Sequence, residues 1–137
     1  MLLMPLQPEQ IDHINLVNWF NFQFPELEGD FHHFANERKC SPTHGRILKR
    51  MGVKKGVADF FLAFPLNENS GFWIELKIGN NKPTKEQTEF LARKAARGYA
   101  AVCVWGCEAA KEMILTYLSD YIKVRKSACS ERNTLNI

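Results

Sequence analysis

Val57-Ala58-Asp59-Phe60-Phe61-Leu62-Ala63-Phe64 and Gly71-Phe72-Trp73-Ile74-Glu75-Leu76-Lys77 are the two stretches that decide the fold of this chain. Both are rich in aromatic and β-branched residues and too short for buried helices, so they read as strands. Asn67-Glu68-Asn69-Ser70-Gly71 between them is a turn cluster, which makes the pair a hairpin. Side chains alternate across a strand, so Glu75 and Lys77 share a face, and Asp59 can meet them from the neighbouring strand. Two carboxylates and an ammonium then converge at the ends of two apolar runs. A cross-strand ion-pair cluster is one account of such a group. A divalent cation and a phosphate held between the three charges is the other.

Working outward, Pro8-Glu9-Gln10 opens a helix to about Phe22 or Phe24, ended by Pro25, with Ile11, Ile14, Leu16, Val17, Trp19 and Phe20 as its apolar positions. Phe31 to Phe34 is a short strand, and Asn36 starts the loop after it. Ser41 is a helix N-cap with Pro42 in the first helical position, and Gly52 supplies the stop. Thr84-x-x-Gln87 reads as a capping box opening a long helix from Lys85 to about Arg97, with Gly98 at its end. Tyr99 to Trp105 is expected to be a buried strand, and Glu108 to about Tyr121 a final amphipathic helix. Trp73, Tyr99 and Trp105 are expected in the core rather than as base-stacking platforms. The tail from Lys123 to Ile137 has weak periodicity and is expected to be frayed or disordered. The order α, β, α, β, β, α, β, α makes this an α/β chain, with a mixed central sheet flanked by helices. A right-handed parallel crossover should add the last strand. Residues 1–122 form the one expected domain and 123–137 a flexible tail.

A length of 137 residues suffices for one hydrophobic core without metal or disulfide staples. No apolar stretch approaches a membrane span. The start, Met1-Leu2-Leu3-Met4-Pro5, lacks a basic region and a cleavage site, so a cytoplasmic location is the expectation. Cys40, Cys103, Cys107 and Cys129 form no C-x-x-C pair and read as free thiols in a reducing compartment rather than as zinc ligands. The net charge of +3 is modest, but its distribution is uneven. Between Glu37 and Asp59 there is no acidic residue, while Arg38, Lys39, Arg46, Lys49, Arg50, Lys54 and Lys55 are all basic. A one-sign cluster abutting a candidate acidic site is what a phosphate-backbone binder needs, although a solvated basic face has the same composition.

Gly52-Val53-Lys54-Lys55-Gly56-Val57-Ala58-Asp59, Trp73-Ile74-Glu75-Leu76-Lys77, Gln87 and Gly98-Tyr99 together resemble the VRR-NUC (virus-type replication-repair nuclease) family of the PD-(D/E)xK nuclease superfamily. The resemblance covers about residues 9 to 118. It departs at Ala58, where relatives usually carry Pro, a residue that shapes backbone rather than chemistry. It implies a restriction-endonuclease-like core and metal-dependent hydrolysis of phosphodiesters. Asp59 and Glu75 would be side-chain ligands of Mg2+ or Mn2+, with the Leu76 carbonyl as a third. Lys77 would contact the scissile phosphate and orient the attacking water. Acting as a base would require a pKa far below about 10.4, so positioning is the role assigned to it. Gln87 would lie near Lys77, where it can orient water or phosphate, yet the capping box alone also accounts for it. Glu9 matches the acid on the family's first helix, and a carboxylate favouring a helix N-terminus accounts for it as well. Asp12 competes with Glu9, and His13 stands where relatives commonly have Gln. His33 and Asn36 resemble a His-x-x-Asn segment beside the family's active site.

Hydrolysing a phosphodiester needs a nucleophilic water, neutralised charge on the transferring phosphorus and help for the leaving oxygen. Carboxylate-bound Mg2+ or Mn2+ can supply these. The expected function is a metal-dependent endonuclease on structured or branched DNA, preferably Holliday-junction-like, acting as a homodimer with no membrane partner. The basic cluster from Arg38 to Lys55 would grip the DNA backbone. The alternative is a non-catalytic nucleic-acid-binding module that keeps the fold.

Overall fold

Four strands form one mixed sheet in the computed structural model, which describes residues 4–35 and 40–135. They are β1 (Phe31–His33), β2 (Phe60–Leu62), β3 (Phe72–Lys77) and β4 (Ala100–Trp105), in that spatial order. The first two pairings are antiparallel and β3–β4 is parallel. The β2–β3 register sets Phe60 opposite Ile74, which brings Asp59, one residue earlier, level with Glu75. Among the described residues there are five α-helices, α1 (Pro8–Gln23), α2 (Pro42–Arg50), α3 (Lys85–Ala96), α4 (Cys107–Tyr117) and α5 (Ser119–Leu135), and a short 3-10 helix, Pro25–Asp30. Of these, α1, α3 and α4 cover the sheet. The expected α/β class, a mixed sheet with flanking helices, is the observed one. Among the described residues no helix is long and apolar enough to cross a membrane.

The sheet is covered on both faces. Phe60 and Leu62 of β2 and Phe72, Ile74 and Leu76 of β3 are buried against Leu16 and Phe20 of α1 and Ile114 of α4. Each such side chain contributes on the order of 1.5–3 kcal/mol by leaving water. The alternate residues build a second, smaller cluster. Trp73 stacks on Phe61 at 4.3 Å between ring centroids, meets Phe90 of α3 edge-on at 4.9 Å, and lies under the Lys94 ammonium. Coverage on both faces explains why Phe72–Leu76 is buried throughout instead of alternating. Trp73 is thus in the interior, as expected, and Tyr99 packs edge-on against Phe61.

The hairpin tip is tighter than the turn cluster suggests. Leu66 and Asn69 exchange both backbone hydrogen bonds at 3.0 Å, and Asn67 and Glu68 between them take positive φ, as in a two-residue hairpin turn. Helix starts follow the expected caps: Ser41 Oγ accepts from the His44 amide, and Thr84 and Gln87 form the reciprocal box.

Three expectations need correction. The strand β4 is half-buried rather than buried, because it is the sheet's edge, and Trp105 is 46% exposed with its indole N–H donating to the Asn81 carbonyl. The last helix is two, parted at buried Leu118. The stretch expected to be a frayed tail is helical through Leu135. It has no Gly or Pro to break it, and its first turns are tied down. The Tyr121 hydroxyl donates to Glu26 at 2.6 Å, and Arg125 reaches Glu26 and the Gln23 carbonyl at 3.0 Å each. Its periodicity is weak because little beyond those turns packs on the body.

Candidate active site

The site forms where β2 begins and β3 ends. Leu76 lies beyond the last residue paired with β2, so its amide donates to Asp59 Oδ2 at 2.9 Å instead of to a strand partner. The Asp59 amide in turn donates to Glu75 Oε2 at 3.2 Å. These reciprocal bonds lock two carboxylates side by side, Asp59 6% and Glu75 1% exposed. The period of two brings Lys77 back to the same face, where its Nζ lies 3.2 Å from Glu75 Oε1. The Leu76 carbonyl projects to the same side of the strand as its amide, toward Asp59.

Gln87 serves both purposes that its position allows. Its Oε1 accepts from the Thr84 amide at 2.8 Å, closing the capping box, while its Nε2 donates to Glu75 Oε1 at 2.9 Å. A capping box tolerates Glu in this position, but only the amide can cap the helix and donate to a carboxylate at once. The first turn of α3 is pinned here from the other side too. Gly56 has φ +81° and lies so close to Glu86 that a Cβ would come within 2.6 Å of its backbone. Any side chain at this position would push the loop 53–57 away from α3.

On α1 the two acids have different partners. Asp12 Oδ2 accepts from the Cys107 amide at 3.2 Å, so Asp12 caps the N-terminus of α4. Glu9 instead faces the sheet end. Glu9, His13 and Asp59 each bring a ligand atom within 4.8 Å of the other two. His13 Nε2 is 3.6 Å from Asp59 Oδ2 and 4.0 Å from Glu9 Oε1, and its Nδ1 is 3.0 Å from His33 Nε2. His33 therefore lies beside the site, whereas Asn36 lies outside the described residues. His13 is the site residue that the sequence reading passed over. The signal was present: Glu9 and His13 are four apart, one helical turn on one face.

Burial is the main reason why the Glu75 carboxyl is pushed up, to about 7, and the adjacent Asp59 charge adds to it, with Lys77 pulling the other way. Lys77 thus offsets only part of what burial and the Asp59 charge do to Glu75. Asp59, Glu75 and Glu9 are hard oxygen donors of the kind that divalent cations take, and Glu9, His13 and Asp59 bring ligand atoms close enough to one another to be candidates for sharing one. The Cys103 thiol, on β4 opposite Glu75, is pushed up by burial and by that carboxylate, which leaves it a poor nucleophile.

The basic residues stand apart from this cluster. Helix α2 buries no residue and carries Arg46, Lys49 and Arg50, all exposed, with Arg46 bonded only loosely to Thr43 Oγ1 at 3.3 Å. Lys54 and Lys55 are exposed in the loop that runs to Asp59. Arg38 and Lys39 lie outside the described residues.

No family model and no curated protein matches the chain. Among solved structures, one named "VRR_NUC domain protein" is similar to it, with a TM-score of 0.70 and 28% identity over 85% of this chain and 92% of that one.

Proposed function

We propose that this protein is a metal-dependent endonuclease that hydrolyses phosphodiester bonds in branched DNA, with four-way junctions as its preferred substrate. The observation that carries the reading is the joint burial of Asp59 and Glu75 beside Lys77 and Gln87 at one sheet end. Burying a carboxylate costs several kcal/mol, and at Glu75 burial and the Asp59 charge outweigh what Lys77 returns, an arrangement suited to a bound cation rather than to stability. The likeness to the VRR_NUC domain structure supports the nuclease class.

Asp59, Glu75 and the Leu76 carbonyl would hold Mg2+ or Mn2+, with Glu9 at the margin. When bound, the ion supplies Lewis acidity and lowers the pKa of a water. Lys77 carries the positive charge that meets the scissile phosphate, and Gln87 fixes Glu75 and presents its amide to the same space. Exposed Arg46, Lys49, Arg50, Lys54 and Lys55 grip backbone phosphates without reading sequence, and Arg38 and Lys39 are proposed to join them. A symmetric dimer would present two such sites to the two strands of a junction. The row of exposed apolar residues Ile11, Ile14 and Phe22 on α1 supports a self-complementary contact.

The test is cleavage of end-labelled linear duplex, single strand, flap, fork and four-way junction with Mg2+ or Mn2+. Incision of the junction above the linear forms supports the proposal. Metal-dependent binding with no incision of any substrate would replace it with a non-catalytic nucleic-acid-binding module.

A further inference from the structure

The hydrolytic reading uses Asp59 as a ligand and gives His13 no role, although the imidazole sits between Asp59 and Glu9. We infer that His13 is itself a ligand to the site's cation through Nε2, with Glu9 and Asp59, and that it turns the site's preference from Mg2+ toward first-row transition metals such as Mn2+. This rests on the preceding reading in sharing its cation, Asp59 and Glu9 with it.

The spacing approaches that of donors around an ion, the ligand atoms of Glu9, His13 and Asp59 all lying within 4.8 Å of one another. Two ligands each about 2.1 Å from a metal can be up to about 4.2 Å apart. The Nε2 separations of 3.6 Å from Asp59 Oδ2 and 4.0 Å from Glu9 Oε1 fall inside that limit and outside hydrogen-bond range. The ring is also preorganised. Its edge packs on Phe60 with ring centroids 5.2 Å apart, and Nδ1 shares a hydrogen bond with His33 Nε2 at 3.0 Å. When His33 accepts, His13 Nδ1 holds the proton and Nε2 aims its lone pair at the space between the two carboxylates. An outer partner that fixes the tautomer of a ligating imidazole is the usual support of a histidine metal ligand. His33 fills that place.

The chemistry follows from the donor. Mg2+ prefers oxygen and keeps its waters, whereas an imidazole nitrogen favours first-row transition metals over it, Mn2+ the least of them because Mn2+ also takes oxygen donors readily. Replacing His13 by Gln, an oxygen donor of similar reach, should therefore change selectivity more than occupancy.

The experiment is metal binding by the full chain without DNA. Electron spin echo modulation of the Mn2+-loaded wild type should show coupling to an imidazole nitrogen, absent in His13→Gln and retained in His32→Gln, whose ring is on the exposed strand β1. Calorimetry should find Mn2+ affinity lowered about tenfold in His13→Gln while Mg2+ affinity stays within about twofold. Nitrogen coupling missing from the wild type, or persisting in His13→Gln, overturns the inference, as do equal losses for both metals or no Mn2+ binding at all. The wild-type spectrum decides even if the variant folds poorly. Junction cleavage without nitrogen coupling leaves the hydrolytic reading and removes the ligand. Nitrogen coupling without cleavage does the reverse.

Discussion

The acidic end of the sheet and the basic helix α2 are built on opposite principles. Asp59 and Glu75 are almost wholly buried, and each carboxylate is fixed by a backbone amide of the facing segment. Helix α2 buries nothing and leaves Arg46, Lys49 and Arg50 in solvent. The difference matches what each is proposed to do. Bond cleavage needs charges held within fractions of an ångström in a low dielectric, because a misplaced ligand costs orders of magnitude in rate. Gripping a phosphate backbone needs charge and reach, works through water, and is screened by salt.

Substitutions can break this contrast, starting with the buried half. Glu75→Ala and Lys77→Ala should each lower the single-turnover cleavage rate by about 10³-fold or more, on the order of 4 kcal/mol in barrier. Circular dichroism should show an intact fold. Cleavage near the wild-type rate with saturating metal would return the cluster to an ion-pair role.

The next test separates the two hydrogen bonds of Gln87. Gln87→Glu keeps the cap but sets a carboxylate against Glu75, where the amide now donates at 2.9 Å. Cleavage should fall at least about tenfold while the melting temperature changes little. An unchanged rate would make Gln87 a helix cap only.

In the exposed half, reversing the charge of Lys49 and Arg50 together should weaken binding to a cleavage-dead complex similarly for all DNA sequences. The salt slope should flatten by about 0.9 for each lost phosphate contact. Metal affinity should not move. A slope equal to that of the wild type would mean that α2 is a solvated face.

A further effect concerns pH. Because the folded Glu75 carboxyl is raised from 4.5 to about 7, the metal-free native state binds more protons than the unfolded chain between those values. Stability from this group is therefore present below pH 4.5 and lost as pH rises through about 7. Urea unfolding of the metal-free protein should show wild type losing stability relative to Glu75→Gln across that window, and Mn2+ should reverse the loss. A constant difference between the two proteins would show that Glu75 is not strained by its surroundings.

Much of this was legible because local patterns and tertiary demands agree. The period of two placed Glu75 and Lys77 together, and the Thr84–Gln87 spacing marked the start of α3, whose cap and site contacts use different atoms of one side chain. What stayed hidden depended on distant partners. Asp12 and Glu9 look alike in the sequence, and only the arrival of α4 assigns Asp12 to the Cys107 amide. The strand β4 reads as buried because its composition is apolar, and nothing local reveals that it is the edge of the sheet among the described residues. Helix α5 carries a weak pattern because little beyond its first turns packs on the body, and the partner of those turns, Glu26, lies 95 residues from Tyr121 in sequence. His13 reads as a departure from relatives, and its value as a donor one turn from Glu9 emerges only when Asp59 arrives beside it.

Asp59 is the residue on which the account turns, since it bonds to β3 on one side and faces His13 and Glu9 on the other. The most direct measurement is single-turnover cleavage of a four-way junction by wild type and Asp59→Asn, each in Mn2+ and in EDTA. The account predicts incision by the wild type in Mn2+ alone and none by Asp59→Asn under either condition. Incision by the wild type in EDTA, or by Asp59→Asn at the wild-type rate in Mn2+, would contradict it.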